Sequence, residues 1–522
     1  MLTGVLLFAL ASAPPIFEPL EYDVARVNIA VLSQPAGTLA ALTLPGGLHF
    51  EAVVHGVRVH PNGNSTWNAS LLHAEQGGYL LTVTGGEASG LVGTLMTPHG
   101  EYRLEPVPGQ SWNVVSIDEV RSFVPDDDGA RIVEPRAGGP LAAGQKAGAA
   151  SSDLSVFRIL LLYTDEARAE RSDAHWGAWL DNLIAVTNSA FEQSGIKVAF
   201  ELTGHRRVGA NDVAEASTLL SEMVPTASAF DAAVFDEVER WRVAAAAHFV
   251  TLAKRATGSY CGYANIMPQC DGTGSCLDAA IGYSVISVSC ASLVLAHELG
   301  HNFGSHHEPG AGPATQPYAY GHVNTVPVRT VMSVNQAAPR IARFSSPELD
   351  CNGAPCGVAD LSDNTQAINQ SRHQVERWIS ERSVAVSVMK STVPRGGTVN
   401  AHVSLAGLLG GRVDVALWRN GASVAELYSG IAPRGLLALV VPGDVAVGGG
   451  YKLVARATLA PEYSAESTQF AVTSVNDPPK PSSGTAPPAS GGGGSLGWLQ
   501  LLLLAAFTAR QSVRARRARG IT

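Results

Sequence analysis

The sequence predicts a multidomain protein in which an α/β (α+β) domain lies between two β-rich domains. The chain has 522 residues, more than one hydrophobic core ordinarily holds. Short apolar runs alternate with turn residues near both ends of the chain, whereas strand and helix patterns alternate in its middle. Only 16% of the residues are charged, and 54 glycines and 30 prolines suit turns and linkers. The net charge of −9 gives no basis for a nucleic-acid partner.

The N-terminal part of the chain divides into three segments. MLTGVLLFALASAPP has an apolar run followed by small residues, which predicts a secretory signal peptide over residues 1–13. Residues 14–134 contain runs such as VARVNIAVL and GGYLLTVTGG, which predict an antiparallel β domain. The small residues of PRAGGPLAAGQKAGAASSD then predict a protease-accessible linker over residues 135–153.

The central domain is predicted to span residues 154–382. A helix is indicated by the apolar spacing from Trp176 to Ser194. Strands are indicated by VFRILLLYT, IKVAFELTGHRRV, HFVTLA and YSVISVSC. This alternation is typical of an α/β or α+β core.

The C-terminal domain is predicted over residues 383–475. Six or seven short strands with turns between them favour a β-sandwich. Its segments VDVALWRNG and VVPGDVAVGGGYKLVARA loosely resemble Ig-like modules of bacterial and fungal secreted enzymes. A Pro/Gly/Ser linker follows at 476–495.

The last segment, residues 496–522, combines a short apolar helix with a basic tail. The apolar stretch is shorter than the ~20 residues that a membrane-spanning helix needs. With the glycine run before it, the segment resembles the GlyGly-CTERM sorting signal of Gram-negative bacteria. That resemblance implies removal by a rhomboid-type protease and display or release at the cell surface. The alternative is a plain transmembrane tail anchor with its arginines on the cytoplasmic side.

All the cysteines fall within residues 261–356, which predicts three disulfides in an exported domain. Sequence alone does not fix the pairing. Proximity along the chain favours Cys261–Cys290, Cys270–Cys276 and Cys351–Cys356.

The segment HELGHNFGSHHEPG, residues 297–310, carries the chemistry of the central domain. On a helix His297 and His301 are four residues apart and point the same way, so that both can bind one Zn²⁺. Glu298 lies one step round the helix, where it can take a proton from a water molecule beside the metal. H-E-x-x-H thus supplies two ligands and a general base.

A third ligand requires the helix to end and the chain to fold back. Gly304 can make that reversal because glycine adopts positive φ without strain. The longer pattern H-E-x-x-H-x-x-G-x-x-H then selects His307 as the ligand and leaves His306 out of register by one. Met332 in RTVMSVN follows at a place where a methionine turn can lie under the metal.

AHELGHNFGSHHE resembles the zinc helix of the metzincin clan, in its reprolysin or adamalysin branch. FRILLLYTDEAR, SYCGYANI, RTVMS and RFSSPELDCNGAPCGV resemble bacterial secreted reprolysin-like metalloproteases, including the peptidyl-Asp type. The resemblance covers Phe157 to Trp378 and implies a twisted sheet above a zinc cleft. It also implies that the β-rich N-terminal domain is a prodomain of a zymogen.

Two residues depart from the family pattern. Glu308 replaces the usual aspartate after the third histidine, which puts its contact with the methionine turn in doubt. Val334 stands where the family often has tyrosine. Neither change removes a ligand or the base.

We therefore expect a secreted zinc endopeptidase that binds one catalytic Zn²⁺ and cleaves proteins or peptides. Glu298 would deprotonate the attacking water and pass the proton to the leaving amine. The strand around Ser259–Ile266 would pair with an extended substrate. A structural Ca²⁺ is compatible with such a domain, but no residue pattern supports one. A signal peptidase and the sorting protease would process the chain, and the membrane would be met only through the C-terminal helix.

Two alternatives stay open at this point. A catalytically inactive metzincin-like adhesin would bind through its sandwich, although the intact Glu298 argues against it. A surface scaffold with a structural zinc would need a fourth protein ligand, and only three are evident.

Latency and specificity each suggest a hypothesis. The prodomain has no cysteine to cap zinc, so one of Asp126, Asp127 and Asp128 could do so, unless these residues form only a solvated acidic turn. An acidic preference would need a basic pocket near the methionine turn. Candidate residues in that part of the sequence are His322, Arg329, Arg340 and Arg343.

Overall fold

The computed structural model describes residues 13–474, apart from 22–23, 45–46, 73–78, 87–89, 108–112, 118–128, 133–153, 226, 256–260, 268–278, 291, 325–327, 336–337, 381, 409–411, 432–435 and 459. At 129–132 only the backbone is described. The chain divides into two compact units, Met1–Thr473 and Ser474–Thr522. Most of the predicted signal peptide, the Asp126–Asp128 turn, both linkers and the C-terminal sorting segment lie outside the described residues.

The N-terminal domain is an antiparallel barrel. Its strands are β1 Phe17–Glu21, β2 Val24–Val27, β3 Leu39–Thr43, β4 His49–Val59, β5 Ser65–Leu71, β6 Leu80–Gly86, β7 Gly90–Thr97, β8 Gly100–Pro106 and β9 Asn113–Ile117, with a short helix, α1, at Ile29–Leu32. The sheet runs in the order β1-β2-β9-β8-β7-β6-β5-β4-β3. A bridge between Pro15 and Ala41 joins its two ends, with the Ile16 N–H donating to the Ala41 carbonyl at 2.6 Å. Closure of this kind removes the exposed sheet edges.

The central domain is built on a six-stranded sheet with the order β10-β14-β15-β13-β11-β12. Its strands are β10 Gly129–Ile132, β11 Ser155–Tyr163, β12 Val198–Arg207, β13 Phe249–Lys254, β14 Gly262–Ile266 and β15 Tyr283–Ser287. β12, β11, β13 and β15 are parallel, and β14 is antiparallel to β15. Helices connect β11 to β12 and β12 to β13, as is usual between parallel strands. The predicted strands of this domain are therefore found.

One strand of this sheet was assigned differently by the sequence. Gly129–Ile132 falls in the stretch predicted as N-terminal domain, but its backbone pairs in parallel with β14. Four residues are too few for their apolar pattern to show which sheet they join. Strand pairing depends on tertiary contacts that a local pattern does not specify.

The helices of the central domain are α2 Asp165–Ala169, α3 Asp173–Gln193, α4 Ala216–Met223, α5 Ala232–Phe235, α6 Val238–Ala244, α7 Val294–Asn302 and α8 Asn364–Ser380. α3 begins at Ser172, whose hydroxyl caps the first turn by accepting from the His175 N–H. It packs against α7 on one side and the N-terminal barrel on the other. α7 itself is buried along its whole length, so its polar side chains are held in a dry interior.

The N-terminal barrel forms hydrogen bonds with the residues that precede α7. The Ser292 N–H donates to Glu101 Oε1 at 2.8 Å, and Thr94 Oγ1 lies 2.7 Å from Ser292 Oγ. Arg103 donates to the Ser289 carbonyl at 2.8 Å and also to the Cys290 carbonyl. The N-terminal domain thus contacts the residues just before α7 directly.

The C-terminal domain is a two-sheet sandwich. Its strands are β16 Ser383–Val388, β17 Thr392–Pro394, β18 Thr398–Ala406, β19 Val413–Arg419, β20 Ala422–Ile431, β21 Leu436–Val440, β22 Gly448–Ala457, β23 Ala460–Glu466 and β24 Phe470–Thr473. One sheet is β16-β18-β21 and the other is β17-β24-β22-β19-β20, with β23 on β22. Their inner faces share one hydrophobic core. The described strands exceed the six or seven predicted, because strands such as β20 are largely exposed and lack a clear apolar alternation.

Among the described residues, no helix combines the length and the apolarity needed to cross a membrane. The apolar helix predicted within 496–522 lies outside those residues.

Candidate metal centre

Helix α7 ends where the sequence predicts a reversal. Its last residue is Asn302, and Gly304 follows with a φ of 95°. A β carbon on Gly304 would stand 1.8 Å from Thr315 Oγ1, so both the backbone angle and the space favour glycine there. The chain turns back and places His307 beside the helix.

The structure brings His297, His301 and His307 together through their Nε2 atoms. The three Nε2–Nε2 distances are 3.1, 3.1 and 3.2 Å. Tetrahedral Zn²⁺ with bonds of about 2.0–2.1 Å would separate its nitrogen ligands by roughly 3.3 Å. The spacing of the three nitrogens therefore fits one zinc ion.

Hydrogen bonds on the far side of two rings set the tautomers. His297 Nδ1 lies 2.8 Å from the Val331 carbonyl, and His301 Nδ1 lies 2.7 Å from the Ser305 carbonyl. A carbonyl only accepts, so each Nδ1 carries the proton and each Nε2 presents a lone pair. Lone pairs that converge on one point without a donor between them are suited to a cation.

Burial keeps these rings neutral. Desolvation, followed by the neighbouring histidines, holds the pKa of His297 and of His301 well below the ordinary value. Burial and His297 lower the pKa of His307 to about 2. Neutral imidazole is the form that binds a metal.

Glu298 lies beside His297 on α7, fully buried, with its carboxylate against strand β14. A β carbon on Gly262 would stand 2.0 Å from Glu298 Oε1 and 2.6 Å from its Cδ. The sequence analysis did not single out Gly262. A glycine inside a strand is a known signal of close backbone approach, and that signal was available in SYCGYANI.

Met332 lies under the helix, fully buried. A β carbon on Gly300 would stand 2.3 Å from its Sδ, so the glycine inside H-E-L-G-H leaves room for the methionine. The Val331 carbonyl, which accepts from His297 Nδ1, immediately precedes Met332. This turn therefore packs beneath the histidine site and also orients one of its ligands.

Glu308 reaches the methionine turn despite its extra methylene. Its Oε1 accepts from the Val334 N–H at 3.1 Å and the Asn335 N–H at 3.2 Å, and also from the Ser333 hydroxyl. The contact with the methionine turn that the replacement of aspartate put in doubt is therefore present, because the Glu308 carboxylate caps the turn. His306 faces elsewhere: its Nδ1 accepts from the His307 N–H at 2.7 Å, and its ring packs against Gly312.

Two of the three expected disulfides are present among the described residues. Cys261 is bonded to Cys290, and Cys351 to Cys356. The first bond ties the start of β14 to the segment before α7. The predicted Cys270–Cys276 pair lies outside the described residues.

Of the four basic residues considered for an acidic pocket, two lie close enough to the histidine cluster to affect its pKa values. Arg329 and Arg340 both donate to the Ser333 carbonyl, at 3.3 and 3.4 Å. Arg340 helps lower the pKa of His297 and of His307, and Arg329 that of His297, so both cations lie near the cluster. By contrast, Arg343 donates to the Asp350 carbonyl, and His322 Nδ1 lies 3.4 Å from Ser362 Oγ.

Comparisons with known families agree with this geometry. Residues 153–345 match a reprolysin model described as metallo-peptidase family M12, and residues 16–119 match one described as a BamI lipocalin-like domain. The second match corresponds to the N-terminal barrel.

The chain is also similar, at low sequence identity, to individual proteins. A peptidyl-Asp metalloendopeptidase of Stenotrophomonas maltophilia (strain R551-3) is 26% identical over 374 residues, covering 66% of this chain and 83% of the relative. One of Xanthomonas campestris pv. campestris is 24% identical over 293 residues, covering 55% and 66%. The solved metalloproteinase-II of Bacteroides fragilis is 12% identical with a TM-score of 0.36, covering 60% of this chain and 90% of that one.

Proposed function

We propose that this chain, a zinc metalloendopeptidase whose residues 153–345 form a reprolysin-like M12 metallopeptidase domain, is exported from a Gram-negative bacterium and cleaves proteins at acidic residues. The observation that carries the proposal is the convergence of three neutral imidazole nitrogens beside the buried carboxylate of Glu298. Three protein ligands leave one tetrahedral position open, as in catalytic rather than structural zinc sites.

The residues divide the chemistry between them. His297, His301 and His307 would hold the ion, which when bound would polarise the scissile carbonyl and acidify a water molecule. Glu298 takes the proton of the attacking water and delivers it to the leaving amine. Its burial strengthens every electrostatic interaction that it makes.

Strand β14, next to the short outermost strand β10, supports recognition of an extended substrate. The strand and the residue after it border α7: Asn302 Nδ2 donates to the Asn265 carbonyl at 2.7 Å, and the Met267 N–H donates to the His301 carbonyl at 3.2 Å. A peptide that pairs with β14 in place of β10 would therefore pass directly by Glu298.

An acidic preference is supported by charge and by kinship. Arg329 and Arg340 place two cations behind the methionine turn, close enough to act on the histidines. The relatives from Stenotrophomonas and Xanthomonas carry the name peptidyl-Asp metalloendopeptidase. We assign the two arginines to attraction of an acidic P1′ side chain.

The flanking parts take supporting roles in this proposal. The lipocalin-like barrel serves as a prodomain, consistent with its hold on the segment before α7. The sandwich is an Ig-like module, and the segment 496–522 is a GlyGly-CTERM-like sorting signal cut by a rhomboid-type protease.

Cut-site profiling tests the proposal. The purified exported protein and its Glu298→Ala variant are incubated with a proteome digest, with and without a zinc chelator. We expect cuts before Asp or Glu that disappear in the variant and on chelation. Equal cutting by both proteins, or none by either with zinc bound and the barrel removed, would leave the zinc-bearing adhesin as the better account.

A further inference from the structure

The last residue of α7 joins that helix to the sheet through its side chain. Asn302 is fully buried at the end of α7. Its Nδ2 donates to the Asn265 carbonyl of β14 and to the Ile281 carbonyl, both at 2.7 Å, and lies 3.3 Å from the Tyr283 carbonyl of β15. Carbonyl oxygens only accept, so these three fix which end of the amide faces the sheet. One side chain therefore ties α7 to both strands that the helix packs against.

Asn302 and Glu298 lie on the same face of α7. They are four residues apart, and side chains at that spacing point the same way from a helix. Both meet β14: Glu298 lies against Gly262 at the start of the strand, and Asn302 contacts Asn265 near its end. The rotation of α7 about its own axis is therefore set for the amide and for the carboxylate together.

The two metal ligands on α7 are supported in a second way. Their Nδ1 atoms donate to the Val331 and Ser305 carbonyls, which belong to residues outside the helix. A bound metal adds a bond to each ring. Rotation of α7 is thus opposed at the histidines by these hydrogen bonds and by the ion, whereas it moves the Glu298 carboxylate along β14 directly.

We propose that Asn302 is a positioning residue, which sets the rotation of α7 on the sheet so that the Glu298 carboxylate is held within reach of the attacking water. This inference rests on the proposed function, in which Glu298 is the general base. Asn302 is fully buried with its amide facing the sheet, so it is not placed to bind a substrate. Its loss should therefore lower kcat and leave KM nearly unchanged.

Steady-state kinetics of the purified, zinc-loaded exported protein test this assignment. Asn302→Ala removes the donor, and kcat per bound zinc should fall roughly 10- to 100-fold, since a misplacement of about 1 Å can cost that much. Asn302→Gln keeps the amide and should recover part of that loss. Should Asn302→Ala not fold, Asn302→Ser takes its place in every comparison, because a serine hydroxyl reaches less far than the amide. A kcat of wild-type size in the folded variant would overturn the inference.

Asn188→Ala is the matched control. Asn188 also joins a helix to a strand, since its Nδ2 donates to the Phe200 carbonyl at 3.0 Å and its Oδ1 accepts from the Phe200 N–H at 2.7 Å. That contact links α3 to β12, which is separated from β14 by β15, β13 and β11. Asn188→Ala should lower the urea midpoint without lowering kcat per bound zinc. An equal fall of kcat in both variants would show that the effect of Asn302 is one of general stability.

A double-mutant cycle separates positioning from structural support. In the Glu298→Ala background the base is absent, so adding Asn302→Ala should not lower the residual hydrolysis further. The same fold loss in both backgrounds would overturn the inference. Zinc affinity, measured by competition with a chromogenic chelator, should stay within a few-fold of wild type in Asn302→Ala. Loss of zinc in step with activity would assign Asn302 to the metal site instead of the base.

The same assays distinguish this inference from the proposed function. Asn302→Ala with a normal kcat, beside an inactive Glu298→Ala, would overturn the inference alone. A Glu298→Ala enzyme with a normal kcat would contradict the proposed function, and the positioning role would fall with it.

Discussion

Gly262 lies so close to Glu298 that a β carbon on it would stand 2.0 Å from the carboxylate Oε1. Strand β14 and the general base proposed here are therefore in direct contact. Any side chain at position 262 must displace the Glu298 carboxylate or the strand.

We therefore predict that Gly262→Ala lowers kcat on the order of 100-fold, since a misplacement of about 1 Å can cost that much. Zinc content and the unfolding temperature should change little. Gly209→Ala is the matched control, because a β carbon there meets nothing within 4 Å. Steady-state kinetics with metal analysis checks the prediction, and a Gly262→Ala enzyme of normal kcat would contradict it.

The adjacent histidines His306 and His307 should behave differently. His307→Ala removes one of three converging nitrogens, so we expect loss of stoichiometric zinc and of activity. His306→Ala should retain zinc within a few-fold of wild-type affinity, since its ring lies edge-on to the His307 ring, 5.0 Å between centroids, but its nitrogens do not belong to the converging cluster. Competition with a chromogenic chelator measures both affinities; equal weakening in the two variants would show that the ligand assignment is wrong.

Glu308→Ala should destabilise the methionine turn. It removes the acceptor of the Val334 and Asn335 N–H groups, which we expect to cost on the order of 1–3 kcal/mol and to weaken zinc binding. The stability of Glu308→Asp should fall between those of the wild type and Glu308→Ala, because the aspartate carboxylate reaches less far. Urea unfolding of the zinc-loaded proteins checks the order, with the exposed Glu426→Ala as control. No change in Glu308→Ala would remove the turn-capping role.

Arg340→Gln should reduce the preference for an acidic P1′ residue more than it reduces the hydrolysis of peptides with a neutral P1′ residue. We expect kcat/KM for peptides with Asp at P1′ to fall roughly 10- to 100-fold, the size of a lost charge-assisted contact, while peptides with Ala there change little. Arg343→Gln is the comparison, because its guanidinium donates to the Asp350 carbonyl. A uniform fall for both peptides would mean that Arg340 supports the fold instead of selecting substrates.

His248 should make the protein less stable in acid. Burial, with Arg242 next, lowers its pKa from 6.5 to about 3. The unfolded chain therefore binds a proton that the folded protein excludes, and stability present above pH 6.5 is lost as the pH falls towards 3. At pH 4.5 the loss from this group is about 3 kcal/mol.

His248→Asn should flatten that dependence while keeping an acceptor for the Arg158 N–H, which His248 Nδ1 now accepts at 3.2 Å. Urea midpoints at pH 7.0 and 4.5 give the difference, with the exposed His402→Asn as control. An equal acid loss in the wild type and His248→Asn would exclude His248 as its source.

Contacts between neighbours in the chain were predictable from the sequence. Two histidines four residues apart on a helix, a glycine that ends it and a histidine three residues later place three nitrogens together, because helix geometry fixes short-range directions. The same holds for the strands of the central sheet, whose apolar runs are buried.

The sequence by itself thus determined the metal centre of this protein and the kind of domain that carries it, since both depend on local spacing and periodic burial. Only the tertiary structure decided which backbone lies against Glu298, which two arginines stand behind the methionine turn, and which sheet Gly129–Ile132 joins. These are contacts between residues far apart in the chain. They depend on how strands pair and domains pack, and no local pattern specifies that choice.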